Sequence, residues 1–302
     1  MKICSFLPSA TEIVYALGLG ESLAGITYEC DYPEEALRKT IVVNTRLKPS
    51  ADPADIDRQV SEFMARGESL YRIETDVLKQ IQPDLIVTQD LCHVCAASPG
   101  DLGSALSVLP RAPQVINLNP RTLEDVWNDV LTVGRAAGRA EQAEQVVAGL
   151  RNRVRAVERA VAGAASRPRV LCLEWLDPPF LGGHWVPEMV ERAGGFDVLG
   201  KTGEPGFRGD WTKLLQSSPD VIVVMPCGYH LLQAVAQYRG THFPPGWSDL
   251  PAVIEGRVFV VDASSYFSRP GPRLAGGVEI LGHILHPERV PEPALADALD
   301  KA

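Results

Sequence analysis

Long apolar runs are missing from this sequence. No stretch reaches the roughly 18 residues that a membrane-spanning helix requires, so membrane insertion is not expected. Basic clusters are missing as well. The 302 residues carry 38 acidic against 29 basic side chains, a formal charge of −9, and no Lys/Arg run forms a phosphate-tracking stripe. Nucleic acid is therefore not an expected partner. Cysteine is sparse and scattered: Cys4, Cys30, Cys92, Cys95, Cys172 and Cys227 are spread along the chain, unlike a disulfide-stapled secreted domain and ordinary for a reduced compartment. The catalytic signatures G-x-S-x-G, G-x-x-x-x-G-K-[ST] and H-E-x-x-H are absent, so the chain is not expected to be an enzyme. "GLGESLAG" holds only part of a dinucleotide fingerprint, and its glycines suit a helix end leading into a strand.

What is present is a chain that is 45% hydrophobic and long enough for two domains of ordinary size. Its start, "MKICSFLPSATEIVYALGLG", opens with a charge and apolar residues, as an export signal does. Pro8, Ser9, Thr11 and Glu12 interrupt that run, and the segment reads instead as a short strand over Ile3 to Leu7 followed by a helix closed at Gly18 or Gly20. The expected location is cytoplasmic, or periplasmic or cell-surface if the native start lies upstream. The expected state is a monomer.

Two internal echoes organise the chain. "PDLIVTQDLC" (83–92) and "PDVIVVMPCG" (219–228) each read as a buried parallel strand whose carboxyl end delivers a loop. "SATEIVYALGLGESLAG" (9–25) and "WVPEMVERAGGFDVLG" (185–200) each read as a helix with a Gly-bearing end before another strand. Between the halves, residues 121–165 lack proline and place apolar residues at steps of 3, 4 and 7, the face of a long helix. Gly134, Gly138 and Gly149 are positions where it would bend or split. The expected architecture is two doubly wound α/β lobes, 1–117 and 168–302, joined by a spine helix over 118–167.

In such lobes, ligands bind outside the carboxyl ends of the strands. The strand-end loops are "YECDYP", "QDLCHVC", "EWLDPPFLGGHW", "PCGYH" and "SSYFSRPGPR". They supply Tyr28, Tyr32, Trp175, Phe180, Trp185, Tyr229, Tyr266 and Phe267, although aromatics make up only 7% of the chain. That placement predicts a cleft lined with flat apolar surfaces, suited to a large planar or amphipathic ligand.

The order "LPSATEIVYALGLG…DYP…PDLIV…DPPF…GHWVPEMVERAGG…PDVIVV…SYFSRPGPR" resembles the class III, helical-spine substrate-binding proteins, and among them the cobalamin-binding branch that feeds an ABC importer. The resemblance covers nearly the whole chain. It implies a chelatase-like two-lobed fold, a cobalamin-like corrinoid as ligand and an ABC permease as partner. It also implies that Tyr28, Phe180 and Tyr266 lie against the corrin with Arg269 beside them. Docking to the permease in this family uses an acidic residue on each lobe, for which Glu74 or Asp76 stands in the first half and Thr212 at the comparable place in the second.

"TQDLCHVCAAS" (88–98) is the least settled motif. A single C-x-x-C is short of the four ligands of a structural zinc site. Cys92 and Cys95, joined by Cys30 and Cys227 from other loops, could bind zinc or iron, with His93 or His230 as supplementary ligands. A redox pair and a merely structural, packing role are the alternatives. His93 could instead ligate the cobalt of a bound corrinoid. Gln89, Asp31, Asp90, Glu174 and Arg269 are the polar candidates for orienting a ligand, with Arg273 a weaker one. The leading function is a corrinoid carrier, sensor or importer component. A metal or metal-chelate (siderophore, haem-like) binder that uses the cysteines comes second, and a chelatase-like enzyme third.

Overall fold

The computed structural model describes residues 1–50, 53–89, 99–295 and 298–301. The chain divides into two compact units, residues 1–120 with 125–147 and residues 121–124 with 148–302. Unit 1 runs β1 (Ile3–Ser5), α1 (Pro8–Ala16), β2 (Leu23–Thr27), β3 (Thr40–Thr45), α2 (Pro53–Ala65), β4 (Tyr71–Ile73), α3 (Thr75–Ile81), β5 (Leu85–Thr88), α4 (Pro99–Ser107) and β6 (Gln114–Asn117). Two helices follow, α5 (Leu123–Ala136) and α6 (Ala140–Val161). The boundary between the units falls inside both. Unit 2 continues with β7 (Arg169–Leu176), β8 (Pro179–Leu181), α7 (Val186–Arg192), β9 (Phe196–Asp197), β10 (Phe207–Arg208), α8 (Trp211–Gln216), β11 (Val221–Val224) and α9 (Leu231–Gly240). It closes with α10 (Pro251–Ile254), β12 (Val258–Val261), α11 (Ala263–Tyr266), α12 (Leu274–Leu285) and β13 (Leu299–Lys301).

Each unit is an α/β layer structure around its own sheet. In unit 1 the strand order is β4-β3-β2-β1-β5-β6, parallel except for the edge strand β4. In unit 2 the order is β10-β8-β7-β11-β12-β13, with β9 beside the start of β7. There β7, β9, β11 and β12 are parallel, while the margins add antiparallel pairings of β8 with β7, β10 with β8 and β13 with β12. The central strands are buried on both faces, as their unbroken apolar sequences require. Cys4, Ile86, Val87, Leu171, Leu173, Ile222 and Val224 are all inaccessible to solvent.

The Pro-Asp echo has a structural reason. The Asp84 carboxylate accepts the Lys2 N–H at 2.8 Å, and the Asp84 N–H donates to the Lys2 carbonyl at 2.8 Å. Asp220 repeats both bonds with Arg169, also at 2.8 Å. In each unit one aspartate thereby clamps the start of a central strand to the start of its parallel neighbour. The bond from Lys2 is also the largest cause holding the Asp84 carboxyl below the usual carboxylate range.

The spine region, where three glycines were expected to bend or split the helix, is two helices that form a hairpin at one of them. Gly138, at φ +68, lets the chain reverse after α5, and the Arg139 N–H closes the turn on the Gly134 carbonyl at 2.7 Å. Gly134 permits the close approach that follows, because a Cβ there would stand 2.4 Å from the Ala143 Cβ. Sequence periodicity ran through the break because both helices carry the same apolar spacing. The N-terminus of α5 is capped from a distance: the buried Glu188 of α7 accepts the Leu123 N–H at 2.8 Å.

Asp220→Ala removes the clamp on Arg169 and is expected to lower unfolding stability by about 1 kcal/mol, whereas Asp220→Asn, which keeps an acceptor oxygen, loses less; denaturant unfolding of both variants checks this. Asp129 of α5 has a buried carboxyl oxygen without a hydrogen-bond partner, and burial, followed by the charge of Asp125, pushes its pKa up to about 7. The folded state therefore holds this proton more tightly than the unfolded chain, so its ionisation removes stability as pH rises from about 4 to 7. Asp129→Asn is expected to raise Tm at pH 8, leave it nearly unchanged at pH 4, and flatten the slope between; equal gains at both pH values would contradict this account.

Candidate ligand-binding site

The carboxyl ends of β7, β11 and β12 bring three loops of unit 2 together. The Met225 N–H donates to the Leu173 carbonyl at 2.8 Å and the Cys227 N–H to the Glu174 carbonyl at 3.0 Å, so the β7–β11 ladder continues past the last strand residues. Gly228, at φ +81, then turns the chain. The Ser264 N–H donates to the Tyr229 carbonyl at 3.0 Å and ties this loop to the one after β12. The loops are thus held by backbone bonds, which leaves their side chains to present a surface.

That surface is aromatic near β7. Trp175 meets Tyr229 edge to face, with centroids 5.3 Å apart and planes at 65°. Phe180 is the register partner of Trp175 across the β7–β8 ladder, and cross-strand partners share a face. The Arg208 guanidinium lies 5.5 Å from the Phe180 ring centroid. The Trp175 indole N–H donates to the Asp177 carbonyl at 3.1 Å, which fixes the ring. Glu174, Tyr229 and Arg269 are all partly buried, and Cys227 is exposed.

Other candidates in unit 2 pack against its interior to different degrees. The Trp185 indole N–H donates to the Phe267 carbonyl at 2.7 Å, and Phe267 is only 1% exposed. Strand-end position placed both among the cleft aromatics; in the structure both rings are buried in the unit. Tyr266 lies against Gly276, where a Cβ would come within 3.2 Å of its ring, and the Arg273 guanidinium stands 5.9 Å from its centroid.

In unit 1, Tyr28 is 38% exposed and its hydroxyl donates to Glu29 Oε1 at 2.9 Å. Burial of the phenol, then the Glu29 charge, raises its pKa, so it serves as a neutral donor. Asp31 is partly buried and Gln89, at the end of β5, is 7% exposed. Cys30 is buried, with its Sγ 3.0 Å from Thr11 Oγ1. Asp90, Cys92, His93 and Cys95 lie outside the described residues. Among the described residues there is no group of three or more His, Cys, Asp or Glu side chains placed to hold a metal ion.

One pairing was not foreseen. His230, after β11, places Nδ1 3.0 Å from Asp262 Oδ2 at the end of β12. The two residues are 32 positions apart, and only the adjacency of β11 and β12 in the sheet joins them. The residues themselves carried a signal, a His and an Asp each at a strand end, but not the strand order that pairs them.

With this fold and these strand-end loops, the chain belongs to the periplasmic binding protein family, whose model matches residues 3–264. It is a ligand-binding, ABC-type substrate-binding protein with the class III fold of two α/β lobes. It is similar to an uncharacterized ABC transporter substrate-binding lipoprotein, YvrC, of Bacillus subtilis, at 23% identity over 96% of this chain and 82% of that protein. It is also similar to the vitamin B12-binding protein of Vibrio cholerae, at 23% identity over 92% of this chain and 86% of that protein. Among solved structures, the periplasmic heme-binding protein RhuT of Roseiflexus sp. RS-1 in its apo form superposes with a TM-score of 0.72. The identity is 21%, over 95% of this chain and 98% of that one.

If Trp185 serves packing, Trp185→Phe should lower stability by about 1–3 kcal/mol, through the Phe267 carbonyl left unpaired, while leaving ligand affinity within about twofold. Unfolding by urea and a ligand titration on the same preparation test the two halves of this expectation.

Proposed function

We propose that this protein binds a cobalamin-like corrinoid against the strand-end aromatics, as the non-catalytic binding component of an ABC importer. The observation that carries the reading is the set of Trp175, Tyr229 and Phe180 at the carboxyl ends of the central strands of unit 2. Flat apolar rings, with the Trp175 indole held by its own hydrogen bond, suit a planar macrocycle, and Glu174 and Arg269 of the same unit supply polar groups for its amide and phosphate substituents. The likeness to a vitamin B12-binding protein over most of both chains supports the same ligand class.

Haem is the second reading, favoured by the likeness to a heme-binding structure. A haem macrocycle would use the same rings, with an arginine such as Arg269 facing its carboxylates. Of the thiols in the cysteine-based metal reading, Cys30 is buried against Thr11 and Cys227 is exposed. For the permease, Asp76 is the more accessible of the two unit 1 acids, its side chain 90% exposed beside Lys79, whereas Glu74 is 27% exposed and engaged by Asn44 and Arg72.

Visible-absorption titration and calorimetry with aquocobalamin and with hemin test the proposal. The expected result is saturable 1:1 binding of aquocobalamin at micromolar Kd or tighter, weakened about tenfold or more by Trp175→Ala or Tyr229→Ala. Saturable binding of hemin alone would replace the corrinoid reading with the second one. Binding of neither would overturn both.

A further inference from the structure

The sheet of unit 1 reverses direction at β1. From there the chain builds outward on one side through β2, β3 and β4, then returns to place β5 and β6 on the other. Both neighbours of β1 run parallel to it. Connections that leave two adjacent parallel strands in opposite directions open a crevice outside their carboxyl ends, and in doubly wound sheets ligands bind in that crevice. The chain leaves β1 through Leu7 and enters α1 at Pro8, so a nine-residue helix begins there.

The start of α1 is built from donors. Among the described residues no side chain caps it, and its first turn holds no acidic residue; Glu12, the one acid of the helix, comes after that turn. Pro8 has no N–H, and the Thr11 N–H donates back to the Leu7 carbonyl at 3.3 Å. Ser9 and Ala10 between them carry amides that the helix itself cannot pair. Ser9 is 1% exposed, and its Oγ is buried without a hydrogen-bond partner among the described residues. Across the switch point, Thr88 Oγ1 on the last residue of β5 is buried without a partner as well, and Gln89 follows it at 7% exposure. An interior hydroxyl is normally paired, so two without partners at the ends of β1 and β5 mark this crevice. Unpaired amides at a helix start, together with the helix dipole, favour a negative group.

We infer that unit 1 binds a small oxyanion, a phosphate or carboxylate group, at the start of α1. The Ser9 and Ala10 amides and the Ser9 hydroxyl are its donors, and Gln89 at the end of the neighbouring strand adds a side-chain amide. Hydrogen bonds to a charged oxygen are about twice as strong as neutral ones, and their strength grows in a site that excludes water. Ser9 is closed to solvent, so entry requires a local opening at the strand ends. The inference stands apart from the ligand proposed for unit 2. Two sources present the required chemistry: free inorganic phosphate, and the phosphodiester of a cobalamin-like ligand.

Thermal unfolding and calorimetry of the full chain in sodium phosphate, against sodium chloride at matched ionic strength, test the site. Phosphate is expected to raise Tm saturably beyond the chloride control. Ser9→Ala, with fold checked by circular dichroism, should weaken phosphate binding about tenfold or more. Ser9→Asp places a carboxylate in the first turn, and should raise Tm in chloride and remove the phosphate response. Titrations with aquocobalamin and with cobinamide, which lacks the nucleotide arm and its phosphodiester, separate the sources. A preference for cobalamin that falls in Ser9→Ala and in Gln89→Leu assigns the site to the ligand's phosphate. A phosphate response without that preference assigns it to the free ion. No phosphate response in the native chain, together with no effect of Ser9→Ala on the cobalamin preference, would overturn the site and leave the corrinoid reading standing. A phosphate response that survives Ser9→Asp would overturn its placement on α1. Failure of either corrinoid to bind would remove the corrinoid reading alone, and the phosphate response would still decide the site.

Discussion

The aspartate at the mouth of each central strand is the constraint on which the site depends. Asp84 and Asp220 bond the first residues of β5 and β11 to those of β1 and β7, with carboxylate and backbone acting together. A parallel pair has evenly spaced but slanted bonds and no tight turn to set its register. A clamp at the amino end therefore decides which residues emerge at the carboxyl end. In unit 2 that register brings Glu174 and Trp175 level with the loop that carries Cys227 and Tyr229. A slip of one residue would turn every strand side chain to the opposite face.

Past the strand ends, the backbone bonds from Met225, Cys227 and Ser264 hold three loops together. Two kinds of aromatic stand on them. Trp185 and Phe267 are drawn into the interior of the unit, where the indole N–H finds a carbonyl. Trp175 and Tyr229 pack on one another and keep part of their surface outside. The same residue types, at similar places in their loops, differ because burial of an indole requires a partner for its N–H. Where that partner is an interior carbonyl, the ring follows it inward.

The helical hairpin shows a comparable balance. Gly134 and Gly138 allow α5 and α6 to turn back and pack closely, and Glu188 supplies an acceptor for the buried Leu123 N–H at the start of α5. Asp129, with a buried oxygen that has no partner, is a local cost that the packing of α5 carries.

Much of this was legible in the residues. β2, β5, β7, β11 and β12 stand where β-branched runs bounded by Pro, Asp and Gly place them, because such runs bury only as strands of a two-sided sheet. The strand-end loops, and hence Trp175, Phe180 and Tyr229, follow from the same pattern. The sequence by itself thus determined two α/β units, their central strands and the loops from which a ligand site is built. Tertiary structure alone decided which of the three glycines breaks the spine and that the chain reverses there, since helical spacing is the same on both sides of a turn. It also decided which strand-end rings face outward, and that His230 meets Asp262. Those outcomes depend on strand order and on hydrogen-bond partners far away in the chain, and residue spacing carries neither.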